Sequence, residues 1–196
     1  ASHIDRVLNL APNVNFSAGA SRGRFFQIRG IGERSQFVEP VNASVGLLVD
    51  GIEMSGIGGA ATTLDIEQVE VLRGPQGTLF GANALAGMIN MVSGSPTDVF
   101  TGRFETRVAE HGTRTFEGVL SGPVSDTLGY RVAYSNHQSD GFQNNAFLGV
   151  RDNADFDEQT LRTKLAWQPH EDLSVDLTAL YLDIDNGYDG FSLDNT

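Results

Sequence analysis

The residues able to do chemistry in this 196-residue chain do not assemble into a reaction centre. His3, His111, His137 and His170 are scattered, no His-x-x-x-His pair occurs, and there is no cysteine. A zinc-cysteine site, a disulfide and thiol catalysis are therefore excluded, and each histidine is expected to face solvent. Asp152, Asp155, Asp157 and Glu158 carry the oxygen donors that suit a hard cation such as calcium. They lack the loop glycine of an EF-hand, and a solvated acidic loop is the plainer expectation. Gly74-Pro75-Gln76-Gly77 lacks the lysine of a phosphate loop. Gly30-Ile31-Gly32 is followed by Ser35 where a dinucleotide fingerprint needs its third glycine. Gly56-Ile57-Gly58-Gly59-Ala60-Ala61 permits an alanine there, but no dinucleotide fold surrounds it. The expectation is no catalytic residue, no metal and no cofactor, leaving recognition as the chemistry.

Charge narrows what is recognised. The net charge is −12, with only 13 Lys and Arg spread over the chain. A phosphate-tracking surface needs those cations clustered, so nucleic acid is not the expected partner. No apolar run reaches the ~18 residues of a membrane helix. Ala1-Ser2-His3-Ile4-Asp5 has neither the basic start nor the apolar core of a signal peptide. The expectation is either a cytoplasmic chain or one whose front has been removed.

Two kinds of element would position these residues. Residues 1–95 read as a mixed α/β unit. Ser2 and Asp5 resemble a capping box, and Ile4, Val7 and Leu8 share one helical face until Pro12 ends the helix. Short strands are expected at 26–29, at 45–54 as a hairpin turning on Asp50-Gly51, at 69–72 and at 88–92. A helix starting at Pro75 and ending near Gly81 is expected between the last two.

From about residue 96 the period becomes two. Phe104, Thr106 and Val108 alternate with Arg103, Glu105 and Arg107. Phe116, Gly118 and Leu120 alternate with Thr115, Glu117 and Ser121. Tyr130, Val132 and Tyr134 alternate with Arg131, Ser135 and His137. Leu161, Thr163, Leu165 and Trp167 alternate with Thr160, Arg162 and Lys164. Val175, Leu177 and Tyr181 alternate with Ser174, Asp176 and Thr178, although Leu180 and Leu182 blur the polar side. Segments of about ten residues, apolar on one face and polar on the other, suit transmembrane barrel strands. A soluble β-sandwich alternates too. Short turns at 123–127 and 169–172, a long loop at 139–157, and Tyr134, Trp167 and Tyr181 near strand ends where aromatic girdles belong favour the barrel. The short connection at His111-Gly112 is tolerated by that rule without being demanded by it.

Residues 66–93, Ile-Glu-Gln-Val-Glu-Val-Leu-Arg-Gly-Pro-Gln-Gly-Thr-Leu-Phe-Gly-Ala-Asn-Ala-Leu-Ala-Gly-Met-Ile-Asn-Met-Val-Ser, resemble the end of the plug domain of TonB-dependent outer-membrane receptors. Ile28-Arg29-Gly30 and Leu48-Val49-Asp50-Gly51-Ile52 are similar to that family's upstream motifs, in the same order and spacing. The resemblance spans almost the whole chain. Departures are Ala11-Pro12-Asn13-Val14 in place of Pro-Gly-Val, Ala82, and Leu85-Ala86 in place of Ile-Gly; all are conservative or lie in loops.

The resemblance implies an α+β plug domain with a mixed sheet over 1–95, then the first five or so antiparallel transmembrane strands of an incomplete barrel over 96–196. It implies a transporter of bulky solutes, most typically ferric siderophores, in the outer membrane of a Gram-negative bacterium. Outer-membrane lipid surrounds such a barrel, and the periplasmic transducer TonB pulls on a TonB box and remodels the plug. That box, and most of the barrel, are not expected within these residues. Arg29 and Arg73 are implied to clamp carboxylates on the barrel wall; the local alternative is that they stabilise turns and pair with Glu70. Cargo contacts are expected on the loops 19–24 and 54–61, with Ser21, Arg22, Arg24, Ser55 and Ile57 as candidates. Two other readings stay open: a β-rich periplasmic or secreted binding module without a pore, and a soluble α/β enzyme. Five strands with two open edges are not expected to transport alone and would tend to aggregate.

Overall fold

Val45-Gly46-Leu47-Leu48-Val49 is buried along its whole length, which is how a parallel strand covered on both faces reads. In the computed structural model, which describes residues 3–18, 22–35, 40–57, 61–77, 83–141, 143–145 and 150–187, this segment is β3. It runs parallel to β6 (Gly87–Ser93) and antiparallel to the short β4 (Ile52–Glu53), while β5 (Ile66–Arg73) closes the other side of β6. The sheet order is β4-β3-β6-β5 and is mixed, as expected. A separate hairpin of β1 (Val14–Ser17) and β2 (Phe25–Ile28) and the four-residue helix α1 (Asp5–Leu8) complete this unit, which ends at Ser93. Ile4, Leu8, Val14, Phe26, Ile28, Val45, Leu47, Val49, Ile89 and Met91 form its core. Each large apolar side chain buried here contributes about 1.5–3 kcal/mol.

The helical content is smaller than the sequence pattern implies. After Leu8 the amides of Leu10 and Ala11 bond back three residues, to Val7 and Leu8, so the helix tightens and stops well before Pro12. Ser2 and the Asp5 side chain, hence the capping box, lie outside the described residues, as does most of the helix expected between Pro75 and Gly81. The strand expected at 26–29 ends at Ile28. Arg29 and Gly30, with φ of 55° and 79°, form a tight turn closed by hydrogen bonds in both directions between Ile28 and Ile31. Asp50 and Gly51 do the same, with φ of 51° and 79°, and form the hairpin turn that their types demand.

Asp50 also does more than turn the chain. Its amide donates to Met91 O at 2.9 Å, and its carboxylate accepts the Ser93 amide at 2.8 Å and the Ser93 hydroxyl at 2.7 Å. Where β3 turns away and can no longer offer a carbonyl to β6, the side chain supplies the acceptor.

The second unit spans Gly94–Gly187. Its five-stranded antiparallel sheet has the order β13-β12-β9-β8-β7, from β7 (Thr101–Val108), β8 (Arg114–Ser125), β9 (Leu128–Ser139), β12 (Phe156–His170) and β13 (Leu173–Asn186). A small hairpin, β10 (Gln143–Asn145) with β11 (Val150–Asn153), interrupts the long loop. Two-residue turns at Asp126-Thr127 and Glu171-Asp172 join the strands at one end. The connections 109–113 and 140–155 lie at the other.

Replacing Asp50 by alanine removes two charge-assisted hydrogen bonds and orphans the Ser93 amide. It should destabilise the first unit by about 3 kcal/mol. Amide hydrogen exchange in β3 and β6 reads this directly, and unchanged protection would refute the bridging role.

Candidate functional site

In the first unit the two motif arginines converge on one segment. The Arg29 amide donates to Asn13 O at 2.8 Å, and Arg73 Nη2 donates to Pro12 O at 3.2 Å. Both side chains are exposed, Arg29 on its tight turn and Arg73 at the end of β5. Glu70, their suggested local partner, is instead engaged by amides. Gln68 Nε2 donates to Oε1 at 2.8 Å and Asn90 Nδ2 to Oε2 at 3.0 Å, because Asn90 is its register partner on β6.

The loops expected to meet cargo are held unequally. Ser21 lies outside the described residues. Arg22 is half-buried, and the Arg24 guanidinium sits 5.1 Å from the centre of the Phe25 ring, a cation–π arrangement. One further spacing, Gly19-Ala20-Ser21-Arg22-Gly23, matches the Gly-x-Ser-x-Gly pattern of a hydrolase nucleophile and is easily overlooked. A nucleophile elbow needs a strand before it and a helix after it. Here β1 precedes and the antiparallel strand β2 follows, so the helix that an elbow needs does not come next.

Ser55 is turned into its own loop. Its hydroxyl accepts the Leu47 amide at 2.8 Å, its amide donates to Glu53 Oε1 at 2.9 Å, and Asn83 Nδ2 donates to Glu53 Oε2 at 2.7 Å. Burial alone would raise the Glu53 carboxyl, but the Ser55 and Asn83 hydrogen bonds outweigh it and hold the group below its ordinary value. Glu53 was not apparent as an organiser of this loop; a lone glutamate beside a glycine-rich stretch gives no pattern to find. Ile57 is 53% exposed and is the one candidate of the five that presents a large apolar surface. Residues 58–60 lie outside the described residues.

Among the described residues the acidic cluster does not form, and the Asp152 side chain lies outside them. Asp157 and Glu158 are neighbours on β12 and so point to opposite faces, Asp157 towards Gln138 and Glu158 to Asn186 Nδ2 at 2.6 Å. No group of three metal-binding side chains occurs among the described residues. Of the histidines, His3 departs from expectation. It is 3% exposed and pairs through its backbone with Thr62, sealing the start of the chain onto the first unit.

The second unit is organised by the two faces of its sheet. On one face the register rows are Trp167-Leu128-Val175, Leu165-Tyr130-Leu177, Thr163-Val132-Ala179 and Leu161-Tyr134-Tyr181. The next two rows, Gln159-Asn136-Asp183 and Asp157-Gln138-Asp185, are polar. Phe104, Val108, Leu165, Trp167, Leu177 and Tyr181 on this face are between 41% and 80% exposed. A sandwich would have packed them inward. The other face carries Thr115 and Glu117, Arg131, Ser135 and His137, then Glu158, Thr160, Arg162 and Lys164. Leu180 and Leu182 also fall there, opposite Arg162 and Thr160.

The apolar face is a band with a slope. On β13, β12 and β9 it ends at the Tyr181-Leu161-Tyr134 row. On β8 it reaches one row further, to Phe116, and on β7 two rows further, to Val108. The band is level across β13, β12 and β9 and rises by four residues across β8 and β7. A stagger between neighbouring strands is what a tilted barrel wall requires. Tyr134 is thus at mid-strand yet at the edge of the band, because the strands run on beyond it. Glycines on this face are roofed by aromatics: a Cβ on Gly118 would lie 3.0 Å from the Phe104 ring, and Phe104, Phe116 and Tyr134 follow one another at 6.4 and 6.3 Å.

Two outcomes follow. Because the Glu53 pKa is lowered on folding, its contribution is present above the unfolded value and lost as pH falls through the folded one. Protection factors at residues 53–57, with intrinsic exchange divided out, should therefore fall on acidification below about pH 4.5, the ordinary value of the group, and Glu53→Gln should abolish that dependence. In a receptor reconstituted in bilayers, Leu165→Arg should cost about 2–4 kcal/mol of folding stability. Lys164→Gln, on the other face, should cost little; equal costs would contradict the assignment of faces.

Comparison with known proteins fits this geometry. Residues 1–88 match the TonB-dependent Receptor Plug Domain family. The pesticin receptor of Yersinia pestis is 31% identical over 150 residues, covering 76% of this chain and 22% of that protein. Among solved structures, the ferric yersiniabactin uptake receptor FyuA from Yersinia pestis aligns with a TM-score of 0.74 at 29% identity, over 85% of this chain and 26% of that one. The pyoverdine outer membrane receptor FpvA from Pseudomonas aeruginosa aligns with a TM-score of 0.72 at 21% identity, over 94% and 25%, a likeness of fold alone. The chain spans roughly a quarter of the length of these relatives. With a plug-domain match over its first unit and a sloping, outward-apolar strand wall in its second, the chain belongs to the TonB-dependent receptor family.

Proposed function

We propose that this chain is the plug domain, residues 1–95, and the beginning of the barrel, from residue 96, of an uptake receptor in the Gram-negative outer membrane. Its cargo is a scarce, bulky solute, a ferric siderophore or similar iron complex. The observation that carries this is the sloping apolar band on an antiparallel sheet continuous in chain with a plug-family unit. Cargo class is supported by the similarity to a ferric yersiniabactin uptake receptor at 29% identity. TonB supplies the work, and no bond of the cargo is made or broken, so the protein is a transporter and not an enzyme.

Arg29 and Arg73 clamp carboxylates of the wall. Their exposure and rigid presentation support this: one guanidinium stands on a closed turn, the other is oriented by Pro12 O. Charged hydrogen bonds suit a domain that must be held in a wet lumen and still move, since they orient strongly yet exchange with water. Arg22, Arg24 and Ile57 face the cargo, with Ser21 on the same loop as the arginines. Ser55 serves by fixing the shape of its loop.

Deletion of the complete gene in the source bacterium, followed by ⁵⁵Fe uptake from a panel of ferric siderophores, tests the reading. Loss of uptake from one siderophore, restored by the gene, is expected. Uptake unchanged across the panel would overturn the cargo class. In the complete receptor, Arg29→Ala with Arg73→Ala should lower the urea concentration at which plug amides begin to exchange; an unshifted midpoint would remove the clamps.

A further inference from the structure

We propose that Gly94 is a one-residue hinge set between two locks, so that residues 95–100 remain fastened to the strand wall when the first unit opens. On one side, Ser93 is the last residue of β6 and is wholly buried. Its amide and hydroxyl both end on the Asp50 carboxylate. On the other side, Ser95 and Thr97 are tied to the second unit. Arg131 Nη1 donates to Ser95 O at 3.2 Å. The Thr97 amide donates to Ser121 Oγ at 2.9 Å and the two hydroxyl oxygens lie 3.0 Å apart, while the Thr97 hydroxyl donates to Val99 O at 2.8 Å and the Ser121 hydroxyl to Tyr130 O at 3.1 Å. Ser121 is fully buried beneath this segment.

Packing supports the same division. Pro96 lies against Gly129, where an added Cβ would be 3.0 Å from its ring, and the Phe100 backbone lies against Gly122 at the same distance. The missing side chain at Gly129 leaves room for Pro96, and Phe100 runs beside Gly122, opposite to it in the line that continues the β7–β8 pairing. Gly94 itself is capped by Arg131: a Cβ there would fall 2.5 Å from Nε. The guanidinium that holds Ser95 lies directly over residue 94, so a side chain there would have to displace it. The two compact units also part between Ser93 and Gly94. Opening of the first unit therefore breaks the Asp50–Ser93 lock and stops at Gly94, because the next residues belong to the wall.

The test is hydrogen exchange of the purified complete receptor in detergent micelles through a urea titration. Peptides covering 95–100 should stay protected together with β8 and β9 after peptides from 45–93 have opened. If 95–100 opens with 45–93, the proposal fails. In Thr97→Val/Ser121→Ala, and separately in Arg131→Ala, protection of 95–100 should fall about tenfold, the worth of a hydrogen bond, while the midpoint for 45–93 is unmoved. Protection that survives both variants would show that the locks are not what fastens the segment.

Discussion

A strand in lipid must pair every backbone amide and carbonyl with another strand, because an unpaired group there costs several kcal/mol. Once β12 is paired along its length with β9 on one side and β13 on the other, its side chains have no freedom to choose a face. A slip of one residue would turn Arg162 and Lys164 outward, each costing about 2–4 kcal/mol at the bilayer midplane. Register and the position of the apolar band are consequences of that one requirement. The glycines of β8 are tolerated because Phe104 lies over Gly118 and keeps the outer surface continuous.

The first unit obeys the opposite rule. Its central strand is apolar on both faces, and carboxylates at strand ends and in loops complete what the backbone cannot. Asp50 finishes the β3–β6 ladder, Glu53 ties the 54–57 loop to Asn83, and Glu33 closes another loop by accepting the Ser44 amide at 3.0 Å and hydroxyl at 2.7 Å. Carboxylates used this way hold loops firmly without a large apolar interface. If the first unit is displaced as proposed, connections that water can replace would ease it.

Strand positions in the second unit were readable because a period of two has no competing explanation over ten residues, and Asp50-Gly51 announced its turn by residue type. Arg29 was misplaced onto a strand, since an arginine at positive φ contradicts its intrinsic preference and only the following glycine hints at the turn. β1, a lone apolar-polar quartet, was too short to stand out, and β10 and β11 lie in a stretch whose asparagines and aspartates read as loop. The locks around Gly94 depend on partners 24 to 43 residues away, and no local pattern encodes them. Side-chain function in the loops was the least legible: Ser55 looked like a contact residue and proves to be a brace.

The strands of the second unit continue past the aromatic row into Asn136, Gln159 and Asp183, then Gln138, Asp157 and Asp185. These two polar rows raise the long-loop end on a hydrophilic parapet standing of the order of 10 Å clear of the oily zone. In the proposed receptor that rim would stand between the long-loop end and the lipid headgroups, sparing the loops competition with the membrane surface for their own polar groups.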